Sequence, residues 1–180
     1  MSREPLYRRV LGERYELMPL PLRRMHDVTD RRTAAGFATV ERGQGTAARL
    51  VAWVFRFPRA GRDVPVTVNL IARNGGEVWE RRFAGKKMRS IQEEGRAGLL
   101  IERFGPFAFS MTVTVADGRL SLDVREGWML GIPLPAVLRP RITAYEHDEG
   151  DRFNFHVDLA LPLIGRLVRY IGWLEPEGAE

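Results

Sequence analysis

Large apolar residues alternate with polar residues through most of the chain between residues 65 and 173. The clearest run is 107–115, in which every second side chain is large and apolar, and the alternation resumes at 120–125 after the turn sequence Asp117-Gly118. A period of two on both sides of an Asp-Gly pair predicts a β-hairpin with one buried face and one wetter face.

The same alternation recurs often enough to predict about nine or ten strands. A flat sheet of that size would leave unpaired edges, which proteins avoid by curling the sheet on itself. We therefore expect a mainly β (α+β) fold, with a strongly curved antiparallel sheet or a partly open barrel. The prediction is one domain over residues 1–180, with the sheet at 34–174 and a frayed tail at 175–180.

Helical spacing of apolar residues is confined to two parts of the chain. One main helix is predicted over residues 46–57, with the sheet packed on its apolar stripe. That stripe consists of Ala47, Leu50, Val51, Val54 and Phe55. Residues 1–33 form an N-terminal segment with two short helices, which Pro19 and Pro21 interrupt, and a polar loop at 27–33.

Composition narrows the class of protein. The chain has 180 residues, a net charge of +5 and no cysteine. The absence of cysteine excludes disulfides, thiolate metal sites and cysteine nucleophiles, and it is compatible with a reducing cytoplasm. The N-terminus lacks the apolar region of a signal peptide, and the longest uncharged stretch, 127–138, is too short to cross a bilayer. We expect a cytoplasmic protein, with peripheral contact at the inner membrane left open.

The positive charge is carried mostly by arginine, since only Lys86 and Lys87 are lysines. A basic surface favours anionic partners. The alternative is that arginine usage reflects genome composition, and acidic residues separate the basic pairs along the chain. No nucleic-acid motif is present, so we expect no nucleic-acid partner.

Three residues of one predicted strand, Trp79, Arg81 and Phe83, share a face because side chains alternate along a strand. On a concave sheet, the arginine could bind a carboxylate or phosphate head group while the rings hold an apolar body. Arg103 on a neighbouring strand is a further candidate for this site. The alternative is that the three side chains stack on a solvent-facing surface and bind nothing.

The uncharged stretch from Trp128 to Leu138 is a second candidate, because connections are usually polar. It begins with Trp128, Met129 and Leu130, and arginines follow at 139 and 141. One interpretation is a lid over an apolar cavity or a loop that touches a bilayer, with the arginines at lipid phosphates. The other is a core-packed connection that closes one end of the sheet.

Catalytic candidates are weak. His156 and Asp158 lie on one strand face, where the carboxylate could orient the imidazole as a general base, and Glu80 and Glu102 are further acid/base candidates. The same polar face could simply meet water. The histidines have no paired-ligand spacing, so no metal site is expected.

The sequence Gly43-Gln44-Gly45 resembles a dinucleotide-binding glycine fingerprint at the start of a helix. However, the strand before it is charged and no βαβ repeat follows, so we expect no cofactor. A tight strand-to-helix turn or a loosely held anion remains as an interpretation.

Several segments together are similar to a bacterial family known as domain of unknown function 4166. They are 6–11, 36–52, 78–83, 102–106 and 161–174. The resemblance implies an accessory domain that occurs alone or C-terminal to a saccharopine-dehydrogenase-like domain, and hence a redox-enzyme partner. It implies no activity and no catalytic residue.

The first functional hypothesis is a module that binds an apolar or amphipathic small molecule, such as a lipid, in a cavity of the curved sheet. The alternatives are an enzyme that uses acid/base residues of the cavity, and an interaction domain of a redox enzyme. This hypothesis of binding follows from the predicted fold.

Overall fold

Antiparallel strands make up most of the computed structural model, which describes residues 4–177. The helices are α1 (Leu6–Leu11), α2 (Leu20–His26) and α3 (Thr46–Val54), with 3₁₀ segments at Gly12–Leu17, Arg96–Gly98 and Ala136–Leu138. The strands are β1 (Arg31–Arg42), β2 (Gly61–Arg73), β3 (Gly76–Phe83), β4 (Lys86–Glu94), β5 (Leu100–Phe104), β6 (Phe107–Ala116), β7 (Arg119–Met129), β8 (Ile132–Pro133), β9 (Arg141–Asp148), β10 (Phe153–Leu161) and β11 (Gly165–Pro176).

The sheet closes into a barrel. Its strands follow the order β6-β5-β4-β3-β2-β1-β11-β10-β9-β7, and β6 also pairs with β7, so ten strands form a ring with β8 added on β7. The mainly β, antiparallel prediction is confirmed, and the predicted hairpin is β6–β7, with Val113 opposite Leu122. Closure removes the free edges that a sheet of this size would otherwise expose.

The ring is incomplete between β7 and β9. These strands pair only where Arg119–Leu122 lies opposite Ala144–His147. Beyond that point β7 turns to pair with β8, with Met129 opposite Ile132. Residues 123–127 and 141–143 therefore face each other without a ladder of hydrogen bonds, which leaves a lateral gap in the wall.

Chain connections divide the barrel into two ends, which we call the plugged end and the open end. The plugged end carries the turns at 74–75, 95–99, 117–118 and 149–152. The open end carries the connections at 43–60, 84–85, 105–106, 130–140 and 162–164.

The N-terminal helices fill the plugged end. Both begin directly after a proline, Pro5 before α1 and Pro19 before α2, whose fixed φ suits a helix start. Their apolar side chains point into the barrel and are almost completely buried: Leu6, Tyr7, Val10, Leu11, Leu22 and Met25. Arg9 fastens α1 to the rim by donating to the Gly75 carbonyl and, at 3.0 Å, to the Glu94 carboxylate.

The prediction of one main helix that carries the sheet is not confirmed. α3 has nine residues and lies at the open end, against β11 and β1. Its buried residues are Ala48 and Ala52, whereas Leu50 and Trp53 are exposed, so the face that packs differs from the predicted stripe. Small alanines let the helix lie close to the strands, and its large side chains point away from them.

Two boundaries also differ from the prediction. β1 already begins at Arg31, inside the predicted polar loop, because residues 31–33 pair with residues 69–71 at the end of β2. β11 runs to Pro176, and the amide of Glu177 donates to the Thr33 carbonyl at 2.8 Å, so residues 175–177 are paired rather than frayed. The rest of the predicted tail, 178–180, and residues 1–3 of the predicted N-terminal segment lie outside the described residues.

None of the helices within residues 4–177 combines the length and hydrophobicity that crossing a bilayer requires.

Candidate ligand-binding site

The inner face of β3 carries a polar network in the middle of the barrel. Arg81 donates from Nη1 to Ser90 Oγ at 2.9 Å and from Nη2 to Glu102 Oε1 at 3.2 Å. Ser90 donates in turn to the same Glu102 oxygen at 2.7 Å. The three residues come from β3, β4 and β5, whose registers place these positions on one side of the wall. The network holds the guanidinium in a fixed orientation.

Aromatic rings surround this network. The Arg81 Cζ atom lies 4.6 Å from the centre of the Trp79 ring, which is a cation–π contact. Towards the open end, the ring of Tyr170 lies 5.3 Å from Phe83 and 6.4 Å from Phe155, measured between ring centres. Burial raises the pKa of the Tyr170 hydroxyl, which therefore stays protonated and can donate a hydrogen bond at neutral pH.

Solvent reaches this part of the interior. Although Arg81 and Glu102 point inward, 16% and 14% of their side-chain surfaces remain accessible. Apolar residues on the inner faces of the neighbouring strands are also only partly buried: Val124, Ala144, Leu159 and Leu161. The half of the barrel that the N-terminal helices do not fill is therefore less completely buried than the half that they occupy.

A recess of about 340 Å³ lies at the lateral gap between β7 and β9. Val124 and Ile142, whose side chains face inward, line it on the two strands, and it is also lined by Arg139 before β9 and Arg141 at the start of β9. A second recess of about 440 Å³ lies at the rim, where Gly43–Gly45 meets Ile164 and Arg166. The first recess combines apolar walls with these two arginines and one acidic residue, Asp123.

A second polar cluster lies where the N-terminal helices meet the barrel. Tyr7 donates to Gln92 Oε1 at 3.1 Å, and its ring stacks on His26 with 3.8 Å between ring centres. His26 Nε2 lies 2.6 Å from Glu146 Oε2. On β3, the Trp79 indole donates to Glu77 Oε2 at 3.0 Å. The contacts of Tyr7 with Gln92 and of His26 with Glu146 each join a helix to a strand, and the ring stack joins the two helices, so the cluster holds the helices in place.

This second cluster is closed to solvent, because His26 and Glu77 have 0% and 1% of their surfaces exposed. Glu77 Oε1 and His26 Nδ1 have no hydrogen-bond partner within the described protein. Burial raises the pKa of the Glu77 carboxyl, and His26, the Trp79 indole and the Leu6 backbone oppose that shift. We assign the cluster a structural role, since no ligand can reach it.

Sequence reasoning missed this cluster. The signal was present, because Glu77 is two positions before Trp79 on the same strand face, and His26 is four positions after Leu22 on the apolar face of α2. His26 has no partner close in sequence, however, so the chain alone does not reveal that Glu146 lies opposite.

The predicted ligand-binding residues are only partly brought together. Trp79, Arg81 and Phe83 do line the interior, as three successive inward positions of β3. Arg103 does not join them. It faces outward, with 53% of its side chain exposed, and pairs with Glu93 at 3.0 Å, because the inward position of β5 belongs to Glu102.

The stretch from Trp128 to Leu138 is not core-packed. Trp128 lies on the outer side of β7, partly buried, while Met129 and Leu130 are exposed at the open end. Leu130 has 77% of its surface exposed. The interpretation of this stretch as a buried connection is therefore wrong.

Three of the four catalytic candidates lie on the outer wall. His156 stacks on Tyr145 with 4.7 Å between ring centres, and Asp158 pairs with Arg166 at 2.8 Å instead of orienting the histidine. Burial lowers the pKa of His156. Glu80 pairs with Lys87 at 2.8 Å, and only Glu102 faces the interior. Within residues 4–177, the histidines and carboxylates form no group of three or more that could hold a metal ion.

Comparison with known proteins gives one result. Neither a curated protein nor a solved structure matches the chain significantly. A family does match, over residues 18–174, which include α2, α3, the strands β1 to β10 and β11 as far as Leu174. The chain belongs to the family described as domain of unknown function (DUF4166).

Proposed function

We propose that the barrel binds an amphipathic small molecule with a carboxylate or similar polar head group. The observation that carries the proposal is the incomplete burial of Arg81 and Glu102 in the interior of a barrel whose other half is filled. A polar network at the bottom of a partly exposed apolar hollow is the usual composition of a ligand site.

Arg81 is the residue that we expect to meet the head group. A guanidinium has five N–H donors. Arg81 makes two hydrogen bonds in the interior, one to Ser90 and one to Glu102. The remaining donors are available to a ligand, and the Trp79 ring holds the guanidinium plane in position. The apolar body would lie against Phe155, Tyr170 and the partly exposed aliphatic residues of β7, β9 and β10.

The lateral gap between β7 and β9 provides a route of entry. Val124 and Ile142 face each other across it without strand pairing, and the recess at this place leads from the surface to inward-facing side chains. Opening such a gap costs few hydrogen bonds, because none of the backbone ladder crosses it.

Fluorescence titration with cis-parinaric acid, a carboxylate with an apolar chain that emits in dry surroundings, tests the proposal. We expect saturable binding by the wild-type protein. Ala144→Phe fills the interior beside the gap and should weaken binding by about tenfold or more, since added bulk displaces the ligand. Thr143→Phe is the matched control, because it places the same ring one position away on the outer face.

Circular dichroism should be used to check that both variants fold. Absence of saturable binding by the wild type, or equal binding by the two variants, would contradict ligand uptake in the barrel.

A further inference from the structure

Exposed apolar side chains gather at the open end of the barrel. Trp53 and Leu130 have 74% and 77% of their surfaces exposed, and other large apolar residues of the same end are similarly uncovered. Those with more than half of their surface exposed are Leu50, Trp53, Val54, Leu130, Ile132, Val137, Leu138 and Leu163. They belong to three separate connections, so the concentration does not come from a single projecting loop.

Two contacts bring α3 and the β7–β8 hairpin together. The ring of Phe55, just after α3, lies 5.2 Å from that of Phe107 on β6. Phe107 is paired directly with Met129 at the end of β7. The apolar side chains of the helix and of the hairpin therefore form one surface, which we call the open-end face.

Positive charge surrounds the open-end face. The connection that contains α3, together with the adjoining ends of β1 and β2 (residues 42–62), has five arginines and no acidic residue. Arg139 and Arg141 follow the hairpin, and Lys86 lies at the turn between β3 and β4. Within residues 4–177, Arg49, Arg56 and Arg59 form no ion pair, unlike Arg166, which is paired with Asp158.

The plugged end carries a more balanced charge. Its helical segment, residues 4–30, has five arginines and five acidic residues, and the turn at 149–152 has two acidic residues and one arginine. An anionic surface would therefore attract the open end more strongly than the plugged end.

We propose that the open-end face docks on an anionic lipid bilayer. Leu50, Trp53 and Leu130 would insert at the level of the head groups, and the surrounding arginines would contact lipid phosphates. Apolar side chains bordered by arginine, with a tryptophan among them, are the composition that binds at membrane interfaces. Each basic residue near such a surface strengthens binding about fivefold.

The composition distinguishes a bilayer from nucleic acid. Phosphate contacts require arginines at the centre of the contact surface, whereas here the most projecting side chains are leucines and a tryptophan. Aliphatic side chains gain little from a duplex but partition readily into lipid.

Docking in this position would turn the gap between β7 and β9 towards lipid, since Arg139 and Arg141 line the recess there. That consequence rests on the proposed function. Docking itself does not, because vesicle binding is measured without a ligand in the barrel. If the protein binds vesicles but not parinaric acid, membrane docking is supported and ligand binding in the barrel is contradicted.

Sedimentation with phosphatidylcholine vesicles, with and without phosphatidylglycerol, is the test. We expect at least about tenfold tighter binding when phosphatidylglycerol is present, and weaker binding as salt is added, since ions screen the attraction. The tryptophan emission should shift to shorter wavelength on binding, and Trp53→Phe should remove most of that shift.

Matched pairs of variants locate the contact. Leu50→Ser with Leu130→Ser should reduce binding by about tenfold or more, whereas Leu17→Ser with Leu20→Ser alters two exposed leucines of the N-terminal segment and should not. Arg49→Glu with Arg59→Glu should likewise reduce binding, whereas Arg24→Glu with Arg73→Glu, away from the open end, should have little effect.

The proposal is overturned if phosphatidylglycerol vesicles are not bound, or if the two members of either matched pair lose binding equally. It is also overturned if duplex DNA is bound more tightly than vesicles and only the arginine variants matter. All the substituted positions are exposed, so the variants should fold.

Discussion

His26 Nε2 lies 2.6 Å from the Glu146 carboxylate, which joins α2 to β9 inside the barrel. The two residues are buried, and the helix has few other polar contacts with the wall. Glu146→Ala should therefore cost about 3 kcal/mol of unfolding free energy, because it leaves the imidazole without its partner.

Urea unfolding monitored by circular dichroism measures that cost. Glu149→Ala is the control, since this carboxylate is 80% exposed and lies 3.8 Å from His147, where an ion pair contributes little. A similar loss in both variants would show that the buried pair does not hold the helix.

The raised pKa of the Glu77 carboxyl gives a pH dependence with a definite sign. The folded protein keeps this proton above the ordinary value of 4.5, so it binds more protons than the unfolded chain there. The contribution of Glu77 to stability therefore falls as pH rises from about 4.5 through the raised pKa. Glu77→Gln keeps an acceptor for the Trp79 indole and lacks the titration.

Unfolding free energies of the wild type and Glu77→Gln at a series of pH values test this sign. We expect the difference to move in favour of the variant as the pH increases from acid to neutral. A constant difference, or one that moves in favour of the wild type, would contradict a raised pKa of Glu77 in the folded protein.

Trp79 and Trp53 provide a contrast between buried and exposed aromatic residues. Trp79 is 6% exposed and lies 6.3 Å from Tyr7 and 5.9 Å from His26 between ring centres. Trp79→Ala should cost about 3 kcal/mol or more, because the wall and the helices cannot close the cavity completely. Trp53→Ala should change the unfolding free energy by less than about 0.5 kcal/mol. Equal losses of stability in the Trp79→Ala and Trp53→Ala variants would contradict the burial of Trp79 inside the barrel.

Arg81 is expected to recognise the head group of the ligand. Arg81→Ala should weaken the binding of cis-parinaric acid by about tenfold, since a hydrogen bond to a charged group is lost. The methyl ester of the same acid should bind both proteins alike. Arg103→Ala, on the outer wall, is the control, and a loss there equal to that of Arg81→Ala would disagree with binding in the interior.

β11 and β1 approach each other so closely at Gly172 that the backbone leaves no room for a side chain. A Cβ at this position would overlap the carbonyl oxygen of Phe37 on β1, so that the backbone must move. Gly172→Ala should therefore cost about 2 kcal/mol. Gly45→Ala meets open space and should cost less than about 1 kcal/mol. Chemical unfolding of both variants tests the difference.

The strands were predictable from the sequence because their side chains report their own surroundings. In β6 and β7 the alternation is complete, and Asp117-Gly118 supplies the turn residues with positive φ. Alternation carries no information about which distant strands pair, so the prediction left open whether the sheet closes. The start of β1 was missed because its first residues are arginine, threonine and alanine, which give no clear pattern.

The role of each helix was less predictable. The length of the apolar stripe predicted α3 as the central helix, but the side of α3 that is buried is the one with Ala48 and Ala52. α1 has only six residues, and its burial depends on a hollow that exists only after the strands have paired. Among the site residues, the inward face of β3 was correctly grouped, but the partners Ser90 and Glu102 depend on register.

During synthesis, the helices at the plugged end are made long before the strands that bury them. Tyr7 is made 85 residues before Gln92, and His26 is made 120 residues before Glu146. At ribosomal speeds the second interval is roughly ten seconds. Throughout it, the nascent chain displays Leu6, Val10 and Leu11 with nothing to cover them, which makes this segment the natural contact for a chaperone at the ribosome exit.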